Sequence, residues 1–225
     1  MNTRLLLCTV AAMLLTGSVF AQNQWEIGLK LGGFNYQGDF AENPMSLGHT
    51  HFALGGQVKF FTNPDFALRV DATFGKISGD YSNVSVSRDW EFERNVSEIL
   101  FVGEWHPLAK DTIYADGEFE QSISPFISLG LGTVFGSSRI SINPEDLDKF
   151  LLEEEQDAFL VIPFSIGASW KAAEKFTVAA EIGTRYTFSD NLDGISLNGN
   201  PDANDWYVYA GITLSYAISS NKDDR

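Results

Sequence analysis

Along most of this chain apolar and polar residues alternate with a period of two. In Phe176-Thr-Val-Ala-Ala-Glu-Ile-Gly-Thr-Arg-Tyr-Thr-Phe188 the even positions Phe176, Val178, Ala180, Ile182, Tyr186 and Phe188 are apolar, interrupted only by Thr184. The odd positions hold Glu181 and Arg185 among small residues. Successive side chains of a strand point to opposite faces, so one face of this segment is greasy and the other carries ionisable groups. The pattern recurs at about Gln24–Tyr36, His51–Phe61, Phe66–Ser78, Phe92–Trp105, Ser124–Phe135, Phe159–Lys171 and Trp206–Ile218. Each segment reaches the length of about ten residues that a tilted strand needs to cross a bilayer.

Parity assigns the outward faces. They carry Trp25, Ile27, Leu29 and Leu31; Phe52, Leu54, Val58 and Phe60; Phe66, Leu68, Val70 and Phe74; and Ile99, Phe101 and Trp105. The later segments add Ile127, Leu129, Leu131 and Phe135, then Leu160, Ile162, Phe164, Ile166 and Trp170, the face described above, and Trp206, Val208, Ile212, Leu214, Tyr216 and Ile218. Trp and Phe recur at segment ends, where interfacial girdles sit. Connections alternate in length: Thr62–Asp65 and Ala172–Lys175 are short and turn-like, whereas Gln37–Thr50, Gly79–Glu91, Gly136–Ala158 and Ser189–Asp205 are long and polar. Outer-membrane barrels pair short periplasmic turns with long external loops. The expected fold is therefore all-β, an eight-stranded antiparallel transmembrane up-and-down β-barrel. One connection departs from the rule, because His106–Gln121 falls where a short turn is expected. Pro144–Glu155 has the composition of a short helix on an external loop, with proline suited to its first turn.

The beginning of the chain reads as an export signal. Arg4 supplies the positive start, Leu5–Leu15 an apolar run too short to span as a helix, and Val19-Phe20-Ala21 a cleavage site. Residues 1–21 are thus expected to be removed, leaving a barrel at 22–219 and a tail at 220–225. The single cysteine, Cys8, lies in the removed part, so the mature chain offers no disulfide, thiol nucleophile or thiolate metal site. No later stretch is long and apolar enough for a helical span. The formal charge is −15, and without a basic stripe such a chain repels nucleic acid.

The same parity points Glu26, Lys30, Arg69, Asp71, Glu98, Glu104, Glu181 and Arg185 inward. Eight strands enclose little more than side chains, so these groups are expected to pair as a plug of salt bridges. A narrow ion path is the alternative. Catalysis has less support. The mature chain has His49, His51 and His106; the first two lie near Ser46, at a spacing that matches no nucleophile–base pattern. The acidic residues of the long loops include Asp190-Asn-Leu-Asp-Gly194, which lacks the spacing of a calcium loop. They read as solvated, with divalent bridging to lipid headgroups as the sharper option. No cofactor or metal is implied.

Several stretches resemble the small outer-membrane β-barrel proteins of Bacteroidota, which are OmpA-like in size. They are Glu26–Asp39, Ser124–Gly132, Ile162–Lys171, Ala180–Asp190, Leu192–Ser196 and Trp206–Ile218. The resemblance spans nearly the whole mature chain and includes the PorG-type barrels of the type IX secretion machinery. It departs at Asn191, where an aromatic is expected, and at Gly194, where an acid is. It implies a barrel, a cell outer membrane location and no catalytic residues.

A non-enzymatic structural or interaction protein is therefore expected, embedded in outer-membrane lipid and lipopolysaccharide. Ile113, Tyr114 and Phe119, in the long periplasmic connection, are candidate anchors for a periplasmic protein partner, which would suit a secretion-machinery subunit. A lipid-modifying enzyme is expected only if a histidine and a serine meet at the membrane rim. Mass spectrometry of the protein recovered from outer membranes should show a mature N-terminus at Gln22; a chain beginning at Met1 would contradict the reading of residues 1–21.

Overall fold

A computed structural model describes residues 24–37, 49–80, 90–109, 121–142, 157–189, 192 and 204–218. It contains strands β1 (Gln24–Gln37), β2 (Thr50–Asn63), β3 (Phe66–Asp80), β4 (Trp90–Trp105), β5 (Ser122–Phe135), β6 (Ser138–Ile142), β7 (Ala158–Ala173), β8 (Phe176–Thr187) and β9 (Trp206–Ile218). All pairings are antiparallel. They run β1–β2–β3–β4–β5–β7–β8–β9, and β9 returns to β1, for example through Leu29↔Leu214. Across the apolar belt the sheet is closed, so that among the described residues this part of the wall has no free edge for another chain to pair with. The expected signal peptide, the Pro144–Glu155 helix and the tail lie outside the described residues.

The ninth strand does not change the count of walls. β4 pairs with β5 through Ser97↔Phe135 and with β6 through Arg94↔Ser138, and the register is the same in both. β5 and β6 are one strand pinched at Gly136. There φ is +153°, and a Cβ would lie 1.7 Å from the Asn95 carbonyl oxygen. Only glycine tolerates that approach. Its N–H turns away from β4 and donates to the Asp157 carbonyl at 3.0 Å. The sequence pattern ended this strand at Phe135, because Gly136-Ser-Ser reads as the start of a loop. A second interruption lies inside the wall. β5 pairs with β7 up to Leu129↔Phe164 and resumes at Gly132↔Val161, skipping Pro163, which has no N–H to give.

At the periplasmic edge the turns are tight. Asn63 Oδ1 accepts from the Asp65 N–H (2.9 Å), and Thr62 Oγ1 donates to the Phe66 carbonyl (3.0 Å). The exit of β4 is tied to the same turn, with the His106 N–H donating to the Asp65 carbonyl at 2.7 Å.

Inside and outside follow parity along the strands. Leu29, Phe52, Phe101, Leu129, Leu160 and Ile212 are each more than half exposed, while Lys30, Ala53, Leu100, Val102, Ser128, Phe159, Val161 and Thr213, next to them on the other face, are buried. An exposed apolar belt on this scale, around a closed barrel, is a lipid-facing surface. Val208 departs from its expected outward exposure; it is 8 % exposed, opposite Asn35 and Thr184 at the external end.

The interior has two tiers. Towards the periplasm it is charged. Towards the outside it is an aromatic and aliphatic core that includes Phe34, Tyr36, Ile77, Phe92, Val96, Phe159, Tyr207 and Tyr209. Phe34 meets Tyr207 edge-on at 5.3 Å, and Tyr36 meets Phe92 at 4.7 Å. This upper core departs from the expected charged lumen, because Phe34, Tyr36, Phe92, Phe159, Tyr207 and Tyr209 stand at inward positions.

Replacing Ile182 by Arg puts a charge on the lipid face of β8 and should destabilise the barrel by about 2–4 kcal/mol if it lies near the midplane. Reversible unfolding into lipid vesicles measures this. A harmless Ile182→Arg beside a severe Thr177→Arg would invert the assignment of faces.

Candidate functional site

The charged tier is built from alternate residues of five strands. β1 supplies Glu26 and Lys30, β2 Lys59, β3 Arg69 and Asp71, β4 Glu98 and Glu104, and β8 Glu181 and Arg185. All nine are buried, at 6 % exposure or less. Eight of them, all but Glu26, make one connected group. Lys30 Nζ bridges Asp71 Oδ2 (2.8 Å) and Glu181 Oε1 (3.1 Å). Arg69 Nη1 reaches Glu181 Oε2 (2.8 Å) and Glu104 Oε2 (2.9 Å). Its Nε lies 3.0 Å from Asp71 Oδ1, an ion contact whose angle falls short of a hydrogen bond. Lys59 Nζ closes on Glu104 Oε1 at 2.5 Å. Arg185 Nη2 stands 3.7 Å from Glu181 Oε1 and joins the group more loosely.

Arg185 also links to the upper tier. Its Nε is 3.5 Å from Glu98 Oε2, the atom to which the Tyr207 hydroxyl donates at 2.8 Å. Tyr209 lies between the tiers, with Lys30 Nζ 4.9 Å and the Arg185 guanidinium 5.4 Å from its ring centre. Such cation–π contacts let an aromatic core border a charged one. Glu26 stands apart; Thr177 donates to its Oε1 at 3.2 Å.

The structure thus brings Lys30, Arg69, Asp71, Glu104, Glu181 and Arg185 together, places Glu98 with Arg185 and Tyr207, and leaves Glu26 at a distance. Lys59, His106 and Tyr207 were missed. Lys59 sits between the outward Val58 and Phe60, so parity was the signal that identifies it. His106 is the first residue beyond β4; its Nε2 contacts Glu104 Oε1 at 2.8 Å and its Nδ1 contacts Ser124 Oγ at 3.2 Å. It lies between the rings of Phe61 and Phe126. Ile113, Tyr114 and Phe119 lie outside the described residues.

The external mouth is fastened by Leu192, which is fully buried. Arg94 Nη1 donates to the Leu192 carbonyl (2.8 Å), and the Leu192 N–H donates to Asp205 Oδ2 (3.0 Å). Asp205 Oδ1 accepts from the Tyr36 hydroxyl at 2.6 Å, while the Arg94 guanidinium stacks 4.7 Å from the centre of the Phe159 ring. One acid and one arginine so hold a piece of the β8–β9 connection in the barrel.

At the outer rim, above the belt, His51 and a serine do meet. Nε2 of His51 lies 2.6 Å from Ser78 Oγ. Ser46, the serine near His51 in sequence, lies outside the described residues. Among the described residues no cluster of His, Cys, Asp and Glu could hold a metal ion.

Closure, parity and belt define an outer-membrane β-barrel embedded in lipid. The chain belongs to the family described as a domain of unknown function, DUF6089, whose model matches residues 4–222. It matches no curated protein. Among solved structures it is similar to the N-terminal β-barrel domain of OprF from Pseudomonas aeruginosa, at 14 % identity and TM-score 0.44, covering 88 % of this chain and 100 % of that one. It is also similar to Ail, the attachment invasion locus protein of Yersinia pestis, at 12 % identity and TM-score 0.46, covering 88 % and 100 %. The outer membrane protein OprG from Pseudomonas aeruginosa matches at 10 % identity and TM-score 0.41, covering 91 % and 99 %.

Arg69 has contacts with three carboxylates. Arg69→Met leaves them buried with less compensation and should cost about 3–5 kcal/mol. Lys76→Met, at a half-exposed pair with Glu93, should change stability far less. Unfolding of both variants in vesicles tests the contrast, and equal losses would remove the special standing of the buried group.

Proposed function

We propose that this barrel is a structural or interaction protein of the outer membrane whose lumen is plugged, so that it acts at its two ends and not along its axis. The observation that carries this is the stacking of two filled tiers, an ion-pair group under an aromatic core, beneath a mouth fastened by Leu192. Charges paired this closely inside a low-dielectric wall resist separation, and an ion entering would have to break those pairs. The general width of an eight-stranded tube, which encloses little more than side chains, supports the same reading.

Outside, the polar rim with Glu91, Glu93 and Arg139 borders lipopolysaccharide and solvent. Inside the periplasm, the connection 106–121 is far longer than its counterparts, Pro64–Asp65 and Glu174–Lys175. That length supports a periplasmic protein partner, and with the resemblance to Bacteroidota barrels it favours a type IX secretion subunit as the finer form of this reading. A lipid-modifying role is a second reading, favoured by the contact of His51 with Ser78.

In planar bilayers the purified wild-type protein should conduct little, and Arg185→Ala should raise conductance only by loosening the plug. Steady, large single-channel currents from the wild type would overturn the proposal.

A further inference from the structure

The contact between His51 and Ser78 lies at a particular place. On β3 the outward side chains occupy even positions, and the apolar belt ends at Phe74; Lys76 and Ser78 follow on the same face. Pairing of β2 with β3 ends at Leu54↔Phe74. Beyond that point the two strands lack a ladder, and the His51 ring crosses between them to Ser78 Oγ, 2.6 Å away. Both residues are partly exposed.

Ser78 belongs to a transverse row. It lies opposite Glu93 on β4, and Glu93 lies opposite Arg139 on β6. Directly opposite residues on one face of antiparallel strands are close neighbours. Lys76 Nζ pairs with Glu93 at 2.5 Å, and the charges of Lys76 and Glu93 both act on the His51 ring. The row opens on a cavity of about 480 Å3 whose walls include His49, Ser78, Glu91, Glu93, Arg139 and Ser141. A hydroxyl, a base within hydrogen-bonding reach and a cation beside an open polar cavity are the parts of a site for acyl transfer.

We propose that Ser78 and His51 form a nucleophile–base pair that hydrolyses acyl esters of membrane lipids at the external rim. The position just beyond the belt selects the substrate: acyl chains lie against Phe74 and Phe52, and their ester groups reach the polar row. Ser78 Oγ attacks the ester carbonyl carbon while His51 Nε2 takes the hydroxyl proton, which requires the tautomer with its proton on Nδ1. The bond between the carbonyl carbon and the alcohol oxygen then breaks, and the leaving oxygen takes the proton from His51. Water, deprotonated by His51, attacks the acyl-serine, releasing the fatty acid and restoring Ser78. One water is consumed, and one acid and one alcohol are formed. Arg139 is placed to attract anionic headgroups.

The inference rests on the lipid-modifying reading and names its residues and substrate class; none of these residues belongs to the plug, so its failure leaves the plugged-barrel reading standing. The test uses the full mature barrel, with folding checked by its heat-dependent migration in detergent gels. Fatty acid release is measured by mass spectrometry from two probes, vesicles of diacyl phosphatidylethanolamine and dispersed lipopolysaccharide. Release from either supports the proposal, and the responding probe identifies the source of the ester. Ser78→Ala and His51→Gln should each lower release by about 100-fold or more, whereas Ser137→Ala, an exposed serine of the same rim, should not. If a variant misfolds, labelling of the wild type by a fluorophosphonate decides, with the adduct expected on Ser78. Absence of release from both probes together with no adduct on Ser78, or release that survives Ser78→Ala, would overturn the proposal.

Discussion

A tube of eight strands has an interior only as wide as the side chains that line it, and within lipid neither its charges nor its backbone can turn to water. That constraint shapes the inside of this molecule. Every second residue must point inward, so the inward set has to be mutually satisfying. The charged tier meets the demand by near-balance, with Lys30, Lys59, Arg69 and Arg185 facing Glu26, Asp71, Glu98, Glu104 and Glu181. Arg69 is the hub because its planar fork can serve several carboxylates at once. The aromatic tier meets it by having little to satisfy, and two of its tyrosine hydroxyls donate to acids at its borders, Tyr207 to Glu98 and Tyr36 to Asp205.

The division between tiers matches a division outside. On the β4 side the apolar belt stops early, at Ile99, and the strand continues to Trp90 with Asn95, Glu93 and Glu91 on its outer face. β3 and β6 extend beside it. The barrel therefore carries a polar external shelf of three strands, with its inner face on the aromatic core through Ile77, Phe92 and Ile140. The pinch at Gly136 lies where belt gives way to shelf, which lets one strand serve both without keeping one continuous ladder.

Much of the fold was legible in the sequence, for a physical reason. Lipid on one side and a crowded lumen on the other force strict alternation, and alternation can be read directly, as β8 shows from Phe176 to Thr187. The inward charges were legible by the same rule, although Lys59 needed parity applied to a residue flanked by Val58 and Phe60. Other features depend on residues distant in sequence. The pinch at Gly136 depends on the Asn95 carbonyl, which no local pattern announces. The partner of His51 is 27 positions away on a neighbouring strand, and only the pairing of strands brings the two together. Burial of Leu192 depends on Arg94 and Asp205, and within its own acidic loop it looks like an ordinary exposed residue.

The fastening at Leu192 bears on how the barrel is put together. Asp205 immediately precedes β9, and the hydroxyl it accepts belongs to Tyr36 of β1, the strand that β9 must find to close the cylinder. Arg94 comes from the middle of the chain. The clasp therefore cannot form while the barrel is an open sheet, and it forms when the last strand meets the first. Closure of the wall and sealing of the mouth become one event, and a chain inserted with β9 out of register is left both unzipped along its seam and open at its top.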